Sequence, residues 1–158
     1  MADEKMIAHA KEVYNNFCNT LDKREWNYKT NAEDMTIFFS VSGDDIPMDF
    51  LVRVDAETQL LRVTSPLPFT VPENKRIDMA VATCDATSSL LDGSFDFDLT
   101  EGKIYFRLTA SFRETDIGEG LFEYLVGYSG FAVDEYNDKL LAISKGIMSI
   151  EDFLSKKD

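Results

Sequence analysis

The chain has 158 residues and a formal net charge of −13. That length suits one domain able to bury a full core without disulfides or metals, and that charge repels phosphate, which argues against nucleic acid and anionic membrane as partners. Apolar residues make up 44% and aromatics 12% of the chain, too much for a disordered polymer.

The acidity reads either as a surface kept soluble or as a surface matched to a basic partner. Two cysteines, Cys18 and Cys84, fall on what read as the apolar faces of helices. Both are expected to be buried small hydrophobes rather than a disulfide or a metal pair. Met1-Ala2-Asp3-Glu4-Lys5 is not followed by the hydrophobic run of a secretion signal. No apolar stretch nears the ~20 residues that span a bilayer. These features lead to the expectation of a cytoplasmic protein.

In chain order, Met6, Ile7, Ala10, Val13, Tyr14, Phe17, Cys18 and Leu21 recur in steps of three and four, which predicts a helix over about 3–22. Trp26 to Lys29 reads as a short strand or a lead-in. Met35 to Val41 alternates, with Met35, Ile37, Phe39 and Val41 on one face. After the turn Ser42-Gly43-Asp44-Asp45, Met48 to Val54 alternates again, with Met48, Phe50, Val52 and Val54 on one face. A second turn, Asp55 to Thr58, leads into a strand over Gln59 to Val63. Links this short make neighbouring strands antiparallel.

Pro66 and Pro68 argue against a central strand at Ser65 to Phe69. Pro72 suits a first helical position. Ile77, Ala80, Val81, Cys84, Ser88 and Leu91 then form a helical stripe, which Gly93 would end as a left-handed cap. Phe95, Phe97 and Leu99 alternate with Asp96 and Asp98. After Glu101-Gly102, Ile104, Phe106, Leu108, Ala110 and Phe112 alternate with polar residues, the clearest half-buried strand in the chain.

The last third reads as helical. Asp116 and Glu119 stand at capping-box spacing, and Leu121, Phe122, Leu125, Ser129, Ala132, Val133, Tyr136, Leu140 and Ile143 share a face. Gly127 and Gly130 interrupt it, implying a bend or a closely packed neighbour. Ser149 with Asp152 starts a short tail helix, whose C-terminal end Lys156 and Lys157 would suit. The result is one α+β domain over 1–158, with an antiparallel sheet of about five strands packed against helices in the order α-β-β-β-α-β-β-α.

Reaction chemistry finds little support. His9 is the only histidine, the four N or S ligands of a zinc site are missing, and the calcium-loop spacing is absent. Asp96 and Asp98 read as a solvated strand face. His9 sits on the polar edge of the first helix and reads as exposed rather than as a catalytic base. Gly118-Glu119-Gly120 lacks the strand-to-helix context of a phosphate loop. Acid–base work by two carboxylates stays open, because spatial pairs are invisible in sequence. No catalytic, cofactor-binding or metal-binding residue is assigned, and no cofactor is expected.

The outward face of the sheet is more informative. If Ile37, Phe39, Phe50, Val52, Phe106 and Leu108 point into the core, then Phe38, Leu51, Arg53, Tyr105 and Arg107 point outward. Large apolar groups mixed with arginine make these five the candidate partner-binding residues, unless a helix covers that face. The Pro66-Leu67-Pro68-Phe69 loop either extends this surface or plugs the end of the core.

The run from Leu60 to Phe112 is a strand, a proline-containing link, a helix and the hairpin Gly93-Ser94-Phe95-Asp96-Phe97-Asp98. It resembles the YbjN-like family of candidate bacterial sensory transduction regulators over roughly residues 34–141. The resemblance implies the fold of type III secretion chaperones, which are small, acidic and usually dimeric and which hold an extended segment of another protein. It carries over no catalytic residue. The sequence therefore points to a non-enzymatic protein-binding or regulatory module, chaperone-like in form, with an unidentified protein partner and a homodimer among its options. A small-molecule sensor domain or an enzyme is the alternative. If the chain dimerises, sheet edges and the second helix are the expected contacts.

Overall fold

The computed structural model describes residues 1–155. Helix α1 spans Glu4–Lys23. Its first turn is capped by Asp3, whose carboxylate accepts from the Met6 amide at 2.8 Å. Ala10, Val13, Tyr14, Phe17 and Leu21 form the buried stripe that the spacing predicts. Six strands follow in two groups: β1 (Lys29–Asn31), β2 (Thr36–Val41), β3 (Met48–Asp55) and β4 (Leu60–Pro66), then β5 (Ser94–Asp98) and β6 (Lys103–Ser111). Helix α2 (Arg76–Ser89) separates the groups, and α3 (Glu119–Ser144) and α4 (Ile150–Ser155) close the described chain.

The strands form one antiparallel sheet in the order β1-β2-β3-β4-β6-β5, which makes the protein α+β. Helices α1, α2 and α3 pack against it. Between the layers lie Phe17, Phe50, Phe106, Phe112 and Phe122, all fully buried. Phe17 meets Phe122 at 4.9 Å between ring centres, and Phe39 stacks on Phe50 at 5.4 Å.

Several boundaries differ from the sequence reading for definable reasons. The sheet has six strands rather than about five, because the polar segment Lys29–Asn31 pairs along the edge of β2. Strand β4 runs on through Ser65 and Pro66 although it is an interior strand. The β3–β4 ladder stops at Thr64, so the missing Pro66 amide has no β3 partner to disappoint, and the Ser65 hydroxyl donates to the Asp49 carbonyl at 2.8 Å. Leu67 and Val71 are then buried and plug the core end, while Pro66 and Pro68 stay exposed.

Helix α2 presents the opposite face from the one expected. Met79, Ala82, Thr83 and Ala86 are buried, whereas Ile77, Val81 and Leu91 are exposed and Cys84 is exposed as well. Cys18 is half-buried. A 3-10 turn, Glu73–Lys75, precedes α2, with Pro72 in its cap position. Gly93 takes a left-handed φ of +75°, but it leads into β5 instead of capping α2, which ends in extended backbone at Leu90. No capping box forms at α3, because Gly118 is the cap residue and offers no side chain. Leu99 is exposed beyond the end of β5. At α4 the Ser149 hydroxyl accepts from the Asp152 amide at 3.0 Å, as expected. Lys156 and Lys157 lie outside the described residues.

Candidate functional site

Strand parity decides which side chains reach the second face of the sheet. In β3, Met48, Phe50, Val52 and Val54 are buried against the helices, so Asp49, Leu51, Arg53 and Asp55 project the other way. The same rule turns out Phe38 and Ser40 from β2, Arg62, Thr64 and Pro66 from β4, and Tyr105, Arg107 and Thr109 from β6. Among the described residues no helix packs over this face, and Phe38 keeps 49% of its surface in solvent.

The register arranges these groups in rows across the strands. Lys29 faces Phe38, Phe38 faces Leu51, Leu51 faces Thr64 and Thr64 faces Arg107. Two residues along, Arg53 faces Arg62, which in turn faces Thr109. On the other side of the apolar row, Ser40 faces Asp49, and Tyr105 faces both Pro66 and Asp96. All five residues singled out in the sequence therefore share one face. Phe38, Leu51 and Tyr105 line a depression of about 700 Å³, open along the sheet, together with Tyr28, Thr64 and Pro66. Arg53 and Arg107 stand beside it.

Several polar groups around the depression are held in place locally. Arg107 Nε donates to Asp96 Oδ2 at 2.7 Å and Nη2 to Oδ1 at 3.3 Å, a two-point grip. The Ser40 hydroxyl donates to Asp49 Oδ1 at 2.5 Å. The Tyr28 hydroxyl donates to Asp22 Oδ1 at 2.6 Å; that bond, aided by burial, pushes its phenol well above the usual range. Negative charge collects elsewhere. Asp44, Asp45, Asp134 and Asp138 line a separate depression, and repulsion, first from Asp138, raises the Asp45 carboxyl.

Sequence reasoning missed Arg62, Thr64, Asp49 and Tyr28. Arg62 was findable, since it stands between the buried Leu61 and Val63 and must share the outward side with Leu51. Tyr28 was not, because its place at the depression depends on the path of the chain between α1 and β1. His9 is half-buried rather than exposed: its ring meets Phe112 edge-on at 5.3 Å, and Nδ1 lies 3.3 Å from Gln59 Oε1. Among the described residues, no three His, Cys, Asp or Glu side chains gather to hold a metal, and no helix is long and apolar enough to cross a membrane.

No family model and no curated protein matches the chain. Among solved structures it is similar to YbjN from E. coli, described as a candidate transcription regulator, with a TM-score of 0.60 and 11% identity over 80% of this chain and 92% of that one. At that identity the likeness concerns architecture, and this chain has the YbjN-like α+β fold.

Proposed function

We propose that the chain is a non-enzymatic protein-binding module, regulatory or chaperone-like in its action, and that its contact surface is the open face of the sheet. One observation carries this reading: among the described residues α1, α2 and α3 cover one side of the sheet, leaving Phe38, Leu51 and Tyr105 around a depression of about 700 Å³ on the other. Apolar groups of this size, ringed by arginine and hydrogen-bonded polar groups, have the make-up of a protein contact patch. A small-molecule site of similar volume would enclose its ligand on most sides, whereas this depression opens along the strands. The description of YbjN as a candidate transcription regulator fits a role exercised through protein contact, because a net charge of −13 opposes direct binding to DNA.

The test places a photo-crosslinking amino acid at Phe38 or, as a control on the exposed side of α1, at Lys11, in the full chain expressed in its native cells. A discrete adduct from position 38 that is absent from position 11 is the expected result. Equal labelling at both positions, or none at 38, overturns the reading.

A further inference from the structure

Arg53 and Arg62 stand directly opposite each other on β3 and β4, and Arg107 lies diagonally beside Arg62 on β6. Like charges in directly opposed positions of a sheet destabilise it. Arg107 is answered by Asp96. Among the described residues, the guanidinium groups of Arg53 and Arg62 make no hydrogen bond or salt bridge. The outward carboxylates nearby bond first to other partners: Asp49 accepts from Ser40, and Asp55 Oδ1 accepts from the Thr58 amide at 2.8 Å, so that Asp55 offers Arg53 a weaker charge attraction and no salt bridge. A chain with 29 acidic residues against 16 basic ones thus sets two guanidinium groups without a salt bridge side by side, next to its apolar depression.

We infer that the open sheet face takes an extended, acidic protein segment, with an apolar side chain seated beside Leu51 and a carboxylate bridging Arg53 and Arg62. This rests on the protein-binding reading above and adds the chemistry of the partner. Guanidinium is the side chain whose geometry best matches a carboxylate. Arg53 lies two residues beyond Leu51 on the same strand, a distance of roughly 6.7 Å at strand rise. Next-but-one residues of an extended ligand are spaced in the same way. A segment lying along β3 and β4 therefore meets both features when an acidic residue stands two positions from an apolar one. A nucleic acid strand would bring a charge with every nucleotide into the field of a strongly acidic protein; a short peptide brings only one or two.

The experiment selects peptides from a phage-displayed library of random dodecapeptides on the full chain, then measures the selected peptides by fluorescence polarisation. Expected are sequences enriched in Asp or Glu two positions from an apolar residue. Their binding should weaken about tenfold or more in the double variant R53E/R62E and be lost in Leu51→Arg. The conservative double variant R53Q/R62Q should fall between wild type and R53E/R62E, and unchanged circular dichroism certifies each fold. Peptides lost in Leu51→Arg but without acidic enrichment, and indifferent to R53E/R62E, overturn this inference and leave the protein-binding reading intact. No selected peptide, or peptides indifferent to every variant, overturns both. A dodecamer of thymidylate that binds more tightly than the peptides and is lost in R53E/R62E assigns the arginines to nucleic acid instead. Light scattering that shows a wild-type dimer and an R53E/R62E monomer assigns them to a second copy of the chain. Either outcome overturns the inference.

Discussion

His9 Nδ1 lies 3.3 Å from Gln59 Oε1, and this contact joins the first helix to the turn between β3 and β4. Gln59 is buried, its backbone has a left-handed φ of +56°, and its amide nitrogen donates to the Ala56 carbonyl at 2.6 Å and the Met6 carbonyl at 3.2 Å. Gln59→Ala removes all three links while keeping the backbone strain, and is expected to cost about 2 kcal/mol in urea unfolding. Gln59→Gly loses the same links but relieves the strained backbone, so it should cost about 1 kcal/mol less.

The Tyr28–Asp22 hydrogen bond makes stability depend on alkaline pH. The folded chain holds the Tyr28 proton more tightly than the unfolded chain, whose phenol titrates near the ordinary value of 10. The contribution is complete below that value. It declines as pH rises further, because the unfolded state then releases its proton first. Tyr28→Phe should lower the urea midpoint at pH 7 by the equivalent of about 0.5–1 kcal/mol, the modest worth of a solvent-reached bond. The gap between wild type and variant should narrow between pH 10 and 11. A constant gap across that range would refute the assignment.

Gly127 and Gly130 lie inside α3, which runs without a break from Glu119 to Ser144, and a Cβ at either would meet no atom within 4 Å. The close neighbour that the sequence suggested is absent at both positions among the described residues. Gly127→Ala and Gly130→Ala should each stabilise the protein by about 0.5–1 kcal/mol, read as a rise in melting temperature.

Helix α2 supplies a test of orientation. Met79→Ala should cost about 2–5 kcal/mol, whereas Ile77→Lys should change stability by no more than about 0.5 kcal/mol. Thiol chemistry reads the same geometry. Cys84 is exposed and should react with a disulfide reagent in a fast phase. Cys18 is half-buried, and burial raises its thiol above the ordinary value, so it should follow slowly.

Strands β3 and β6 could be read residue by residue, because each buries one parity and exposes the other, as Phe50 and Arg53 or Phe106 and Arg107 show. The same parity places Phe38, Leu51 and Tyr105 on one face from the sequence alone. Helix α2 carries apolar residues on both sides. Periodicity favoured the larger set of Ile77, Val81 and Leu91, but the close approach of α2 to β5 and α3 selected the smaller Ala82 and Ala86. Strand β1 was obscure because Lys29-Thr30-Asn31 has no apolar residue and owes its conformation to the edge of β2. The opposed pair Arg53 and Arg62 needed the register, which strand assignment alone does not provide.

The one-sided stacking of helices has a further consequence for how such proteins diverge. Alternate positions of β2, β3, β4 and β6 answer to folding, and the intervening positions answer mainly to solvent and to whatever touches them. The second set can be rewritten without disturbing the first, so the scaffold persists while its exposed face changes.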